Sequence, residues 1–207
     1  MKALIADDHP IVRKGIVQLL KDAFPKILTE EVSSGIDAVK KINQEKWDLI
    51  VLDISMPGRN GIDVLKQARN SGIKTPILIL SMQAEEHYAL RTLKAGASGY
   101  VSKESAGDEL VKAVEKVMEG KKYISPKVSE ILAESLGEEP EFIHEKLSDR
   151  EMEIMMLIAS GKAVSVIARE LSLSVSTVST YRLRVLEKLH LQNNAEILRY
   201  VFENGLA

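Results

Sequence analysis

The chain has 207 residues, 45% hydrophobic and 28% charged, the balance of a globular protein with one or two cored domains. It has no cysteine, which excludes disulfides and thiolate metal sites, and no apolar stretch approaches the roughly 20 residues that span a bilayer. A net charge of −2 means that any nucleic-acid surface must be local; the opening segment turns acidic by Asp7, which argues against a secretory leader, so a cytoplasmic location is expected.

Short Leu/Ile/Val runs bounded by turn signals predict buried strands at 2–6, 28–32, 49–53, 77–81 and 99–101. Between them, helical spacing predicts helices at 11–23, 35–44, 62–71, 85–95 and 106–119. Strands alternating with helices at this interval make βαβ units, hence an α/β domain with a five-stranded parallel sheet covered on both faces. The flavodoxin-like strand order 2-1-3-4-5 is expected, with strands 1 and 3 adjacent at the switch point. Residues 1–120 form this domain. Residues 121–146, with Pro126, Pro140 and the acidic run Gly137-Glu-Glu-Pro-Glu141, read as a linker holding one short helix at 126–136. Residues 147–207 show helical patterns throughout, at 149–160, 164–171, 176–189 and 195–204, with Ser148 and Ser174 as caps or turn residues.

In an open α/β sheet, ligands bind beyond the carboxyl ends of the strands. The pair Asp7-Asp8 ends the first strand, Asp53 the third and Ser81 the fourth, while Lys103 follows the fifth. An aspartate can be a nucleophile towards phosphorus. That reaction needs a divalent cation held by carboxylates, and it benefits from a lysine and a hydroxyl beside the phosphoryl oxygens. Any one of these residues alone is better explained as a cap, a turn or a solvated charge. Their convergence on one sheet edge is what favours the chemical reading. His9 reads as a helix-start residue rather than a ligand, because Pro10 follows it.

Four segments carry a resemblance: Ala6-Asp-Asp-His-Pro10, Leu52-Asp-Ile-Ser-Met-Pro-Gly58 with Gly61, Ser81, and Lys94-Ala-Gly-Ala-Ser-Gly-Tyr-Val-Ser-Lys103. They resemble the receiver domains of two-component response regulators, which have the CheY-like fold. The resemblance implies that Asp53 accepts a phosphoryl group from a histidine kinase. It also implies that Asp8, Asp53 and the Ser55 carbonyl bind Mg2+, with Asp7 acting through water. Lys103 would contact the phosphate, and Ser81 and Tyr100 would form the switch pair. Glu104 stands where many receivers have proline. A rival class, the Mg2+-dependent phosphohydrolases, carries a second acid two positions after the nucleophile. Here that position is Ser55, so turnover catalysis is not expected beyond slow self-dephosphorylation.

In the C-terminal segment, a tight turn between the second and third helices suggests a helix-turn-helix. On the 176–189 helix, Val178, Val185, Leu186 and Leu189 share one side and Thr177, Thr180, Arg184 and Lys188 lie opposite, as a DNA-reading helix requires. From Lys146 onward, eight Lys and Arg face seven Asp and Glu, so charge leaves a generic helical interaction domain equally open. The segments Leu147-Ser-Asp-Arg-Glu151, Ile158-Ala-Ser-Gly-Lys162, Ile167-Ala-Arg-Glu-Leu171, Ser174-Val-Ser-Thr-Val-Ser-Thr-Tyr-Arg182 and Leu186-Glu-Lys-Leu189 resemble the LuxR-type helix-turn-helix. Joined to a receiver, this module marks the NarL/FixJ class.

By this resemblance, Ser176, Thr177, Ser179, Thr180, Arg182, Arg184 and Lys188 would contact double-stranded DNA. Ser176, Ser179 and Tyr181 depart from the lysines and histidine common there. Arg182 has an equal alternative as a structural partner of Glu151. Met152, Met155 and Met156 are expected in the core, and most of the stripe Ile197, Leu198, Val201 and Phe202 should close it. The family also implies dimerisation through that last helix. The expected function is a transcriptional regulator that a kinase switches through Asp53, freeing the DNA-binding module or favouring a homodimer. The alternative is constitutive DNA binding with the receiver as a protein-docking surface; a phosphohydrolase is the third reading.

Overall fold

The computed structural model describes residues 1–82, 85–135 and 143–206. It divides into two compact units, Met1–Glu138 and Glu139–Ala207, taken separately below.

In the first unit, strands β1 (Lys2–Ala6), β2 (Leu28–Val32), β3 (Leu49–Leu52), β4 (Ile77–Ser81) and β5 (Gly99–Ser102) pair in parallel, in the order β2-β1-β3-β4-β5. This is the expected flavodoxin-like order. Helices α1 (Pro10–Ala23), α2 (Gly35–Gln44), α3 (Gly61–Asn70), α4 (Glu85–Lys94) and α5 (Ala106–Met118) make the crossovers. Residues of β3 and β4 are buried throughout, as strands covered on both faces must be. β2 differs: its sequence LTEEV leaves Leu28 and Glu31 exposed. It is an edge strand, and its glutamates discourage pairing with another chain.

Local chemistry fixes where these helices begin. The Ser34 hydroxyl accepts the Asp37 N–H at the start of α2, and the Asn60 side chain accepts the Ile62 N–H at the start of α3. α1 has no side-chain cap; Pro10 at its first position dispenses with one N–H that would need a partner. The register sets Ala6 opposite Leu52, so β1 and β3 end level and deliver Asp7 and Asp53 side by side. The Asp53 N–H still donates to the Ala6 carbonyl at 2.8 Å, although β3 ends one residue earlier than predicted. No described peptide bond is cis, so the chain passes from Lys103 to Glu104 in the trans form.

Residues 121–135 were expected as the start of a linker, yet they belong to the first unit. The Tyr123 N–H donates to the Ser98 carbonyl at 2.8 Å beside the bridge to Gly99, and α6 (Pro126–Ser135) packs against α4. The acidic run 137–141, Pro140 and the expected last helical residue, Leu136, lie outside the described residues.

The second unit begins with a 3-10 turn at Ile143–Lys146, followed by α7 (Asp149–Ala159), α8 (Val164–Glu170), α9 (Val175–Leu189) and α10 (Asn194–Glu203). Ser148 and Glu151 form a reciprocal capping box, and Ser174 caps α9. Met152 and Met155 are buried with Ile167, Val178, Val185, Leu186, Leu189, Ile197 and Val201, while Met156 is half-buried. One expectation is corrected. Leu198 and Phe202 are 52% and 80% exposed and do not close the core. Each follows a buried residue by one position, and one step along a helix turns a side chain by about 100°.

Candidate functional site

Asp53 and Asp7 are both almost fully buried where β3 and β1 end. Between them lies the Lys103 ammonium, 2.7 Å from Asp53 Oδ2 and 2.8 Å from Asp7 Oδ2. Lys103 is held there by its own backbone, whose N–H donates to the Ser81 carbonyl at 2.9 Å. Asp8 is partly exposed, and one oxygen of each of Asp7, Asp8 and Asp53 can be found together with a His9 ring nitrogen within 4.8 Å of one another. The Ser55 N–H approaches Asp53 Oδ1 at 3.4 Å, which places that residue's backbone at the rim. Ser81 is buried at the end of β4, and Tyr100 is buried in β5, paired with Ile79.

Burial pushes Asp53 up to about 6, against the pull of the Lys103 ammonium, and the charges of Asp7 and Asp8 add to the rise. Burial alone would lower Lys103, but the carboxylates of Asp53 and Asp7 outweigh it and hold the ammonium above the usual lysine value. One ammonium therefore faces three carboxylates, and the set carries surplus negative charge above pH 6. Asp8 Oδ1 is a buried oxygen with no aligned hydrogen bond, and Asp7 Oδ2 has only the ammonium beside it. Hard oxygen donors with surplus charge and an unfilled acceptor are what a divalent cation such as Mg2+ requires, so these residues fit the ion.

Two contributors escaped the sequence reading. Arg13 donates to the Asp7 carbonyl at 2.7 Å and pairs with Glu31 at 2.8 Å, fixing the turn that carries the acids. The only sequence signal was its place four residues after His9, one helical turn into α1. The other is His9 itself, whose Nδ1 lies 2.7 Å from Asp8 Oδ1.

In the second unit the apolar side of α9 is buried as the helical wheel predicts. Of the seven candidate DNA-contacting residues, Ser176, Thr180, Arg184 and Lys188 are exposed, and Thr177, Ser179 and Arg182 are half-buried. The Ser174 hydroxyl contacts those of Ser176 and Thr177 at 2.8 and 2.7 Å, and the Thr180 hydroxyl donates back to the Ser176 carbonyl at 2.9 Å. Arg184 lies over the Tyr181 ring at 5.8 Å. The expected Arg182–Glu151 pair is not formed. Glu151 is taken by Lys188 at 2.6 Å, and Arg182 Nε donates to the Asn194 side chain. The reason is reach: Lys188, in the last turn of α9, also meets the Lys146 carbonyl at 3.3 Å beside the capping box. Lys188 is thereby engaged within its own unit.

Burial would raise Glu151, but the Lys188 ammonium and the Ser148 N–H and hydroxyl hold it below the usual value of 4.5. A carboxyl depressed by folding stabilises the fold above its unfolded pKa, and the contribution is lost as pH falls through the lower folded value. Hydrogen exchange in α7 and α9 should therefore report a weakening of the second unit below about pH 4.5. Glu151→Gln should cost about 1 kcal/mol at pH 7 and remove that part of the pH slope. Equal slopes in the two proteins would refute this assignment.

No helix among the described residues is long and apolar enough to cross a membrane. Residues 3–115 match the response regulator receiver domain, and residues 145–201 match the luxR family of bacterial regulatory proteins. The chain is 34% identical over its whole length to the response regulator UvrY of Escherichia coli strain K12, covering 95% of that protein. It is 33% identical to the oxygen regulatory protein NreC of Staphylococcus carnosus, covering all of this chain and 99% of that one. RcsB of Salmonella enterica serovar Typhimurium, solved bound to promoter rprA in the presence of phosphomimetic BeF3-, superposes with a TM-score of 0.66 at 27% identity, covering 98% of each chain. The chain belongs to the response regulators of the NarL/FixJ class, phosphorylation-controlled transcription regulators that join a receiver domain to a LuxR-type helix-turn-helix.

Proposed function

We propose that Asp53 is the phosphoacceptor, taking a phosphoryl group from the phosphohistidine of a sensor kinase in the cytoplasm. The observation that carries this is the buried Asp53 carboxylate, held 2.7 Å from a buried ammonium and grouped with two further acids. An Asp53 oxygen forms the new P–O bond as the P–N bond of the donor breaks, its electron pair staying on the donor imidazole. Asp8, Asp53 and the Ser55 carbonyl would hold Mg2+, and Asp7 would act on it through water. When bound, the ion supplies neutralisation of the phosphoryl oxygens.

Lys103 turns from Asp53 towards a phosphoryl oxygen, and its place at the sheet edge is kept by its backbone bond to Ser81. The Ser81 hydroxyl donates to a second phosphoryl oxygen, and Tyr100 repacks with it, shifting the receiver between two states. The outcome is a homodimer whose α9 helices read paired half-sites through Ser176, Thr177, Ser179, Thr180 and Arg184. Arg182 and Lys188, already bonded within the unit, support that helix and reach phosphates only at its margin. Ser55 offers no carboxylate to activate water, so self-dephosphorylation is slow.

Acetyl phosphate with Mg2+ tests the acceptor. Intact mass should rise by one phosphoryl group on the native chain, and by none on Asp53→Asn or in the presence of a chelator. A native chain that stays unmodified where another receiver is labelled, or an Asp53→Asn chain that labels equally, would overturn the assignment.

A further inference from the structure

We propose that His9 is a ligand of the same metal site, its Nδ1 giving the site a preference for imidazole-binding divalent ions such as Co2+ over Mg2+. This rests on the metal reading above and goes beyond its oxygen ligands.

Spacing is the first argument. Ligand atoms in neighbouring positions of a six-coordinate ion with bonds of about 2.1 Å lie about 3 Å apart. His9 Nδ1 stands 2.7 Å from Asp8 Oδ1, close to that separation, while Asp7 Oδ1, which acts through water, is 3.6 Å away. The short contact is not an aligned hydrogen bond, since Asp8 Oδ1 remains without a hydrogen-bond partner. With a protonated imidazole this contact is an ion pair; with a neutral one, a cation shared by the two atoms accounts for their 2.7 Å approach.

Preorganisation is the second. The His9 N–H donates to Asp7 Oδ1 at 2.7 Å, and the His9 carbonyl accepts the Arg13 N–H at 3.0 Å. Its backbone is extended, and Pro10 starts α1 immediately after it. The base of the side chain is thus tied to one of the acids on one side and to a helix on the other. The side chain itself is 62% exposed, so an ion can reach it from solvent.

Chemistry then sets the preference. Mg2+ favours oxygen donors and gains little from imidazole, whereas affinity for nitrogen donors rises through the first-row divalent ions. A site of oxygens alone would discriminate weakly among these ions. One with an added imidazole favours Co2+ over Mg2+.

The test uses the full chain, native and His9→Ala, with calorimetric titration of Mg2+ and Co2+ alone and the proton NMR spectrum of the Co2+ form. Loss of His9 should lower Co2+ affinity by about tenfold or more, as the weaker disturbance of a ligand's neighbour already does. Mg2+ affinity should fall far less, and a hyperfine-shifted imidazole N–H should vanish with the substitution. Asp8→Asn serves as the control for ions held elsewhere. An unchanged ratio of Co2+ to Mg2+ affinity in His9→Ala, with both ions still lost in Asp8→Asn, overturns the role of His9 and leaves the metal site standing. Native chain that binds neither ion overturns both.

Discussion

Lys103→Met is expected to slow phosphoryl transfer from acetyl phosphate by roughly a hundredfold or more, the usual loss when one preorganised donor to a developing charge is removed. The side chain is 4% exposed and touches both Asp53 and Asp7, so no neighbouring cation replaces it without rearrangement. The same change should weaken the metal-free fold at neutral pH by about 3–5 kcal/mol, because a cation leaves two buried carboxylates. The pH dependence has a definite sign. Asp53 already stands at about 6, and without the ammonium it rises further. A carboxyl raised by folding destabilises the native state above its pKa, and the penalty fades as protonation sets in. The stability gap between native and variant should therefore be widest at alkaline pH and shrink on acidification through about pH 6, measured by denaturant unfolding with chelator present. A gap that widens on acidification, or labelling at the native rate, would contradict the place given to Lys103.

Gly61→Ala should be severe for a different reason. A Cβ at residue 61 would lie 2.0 Å from the Asp53 carbonyl oxygen and 2.9 Å from its carbon, and both are backbone atoms that cannot swing aside. The Gly61 N–H also donates to the Ile54 carbonyl at 2.8 Å, tying the start of α3 to the turn that follows the acceptor. Overpacking of this kind costs about 1–3 kcal/mol or more. It also displaces the Asp53 backbone, so labelling by acetyl phosphate should drop with stability. Gly107→Ala is the matched comparison. It lies in α5 with nothing within 4 Å of the added carbon, and alanine there should be neutral or stabilising by up to about 1 kcal/mol. Equal unfolding midpoints for the two variants would show that the close approach at Gly61 is not a constraint.

The sheet was legible because its signals are local. β1, β3 and β4 are short apolar runs with a turn beside them, and an acid follows β1 and β3 directly. Once the strand order is inferred, Asp7 and Asp53 must meet, and the register of Ala6 on Leu52 makes them neighbours. Lys103 followed from the same rule. What stayed hidden depends on side-chain reach. Pro10 revealed that a helix starts after His9, but not that the imidazole turns back to Asp8. Glu151 was assigned the wrong cation because Arg182 and Lys188 both lie on α9, and sequence spacing does not say which one reaches the capping box. The stripe on α10 failed similarly: Leu198 and Phe202 each stand one position after a buried residue, and that step of about 100° turns them outward, which spacing alone does not reveal. The docking of α6 on α4 joins residues far apart in the chain through a helix whose own pattern names no partner.

The central claim is that phosphate on Asp53 controls the DNA-binding module. Its most direct measurement is affinity for duplexes selected from a random pool, by fluorescence anisotropy at one fixed salt concentration. Native chain would be compared with Asp53→Asn, each with and without acetyl phosphate and Mg2+. Affinity should tighten by about tenfold or more for the phosphorylated native chain, about 1.4 kcal/mol of coupling, and stay constant for the variant. Equal affinity of native chain with and without phosphate, under conditions where its mass confirms full labelling, would contradict the claim and leave a DNA-binding protein whose receiver does something else.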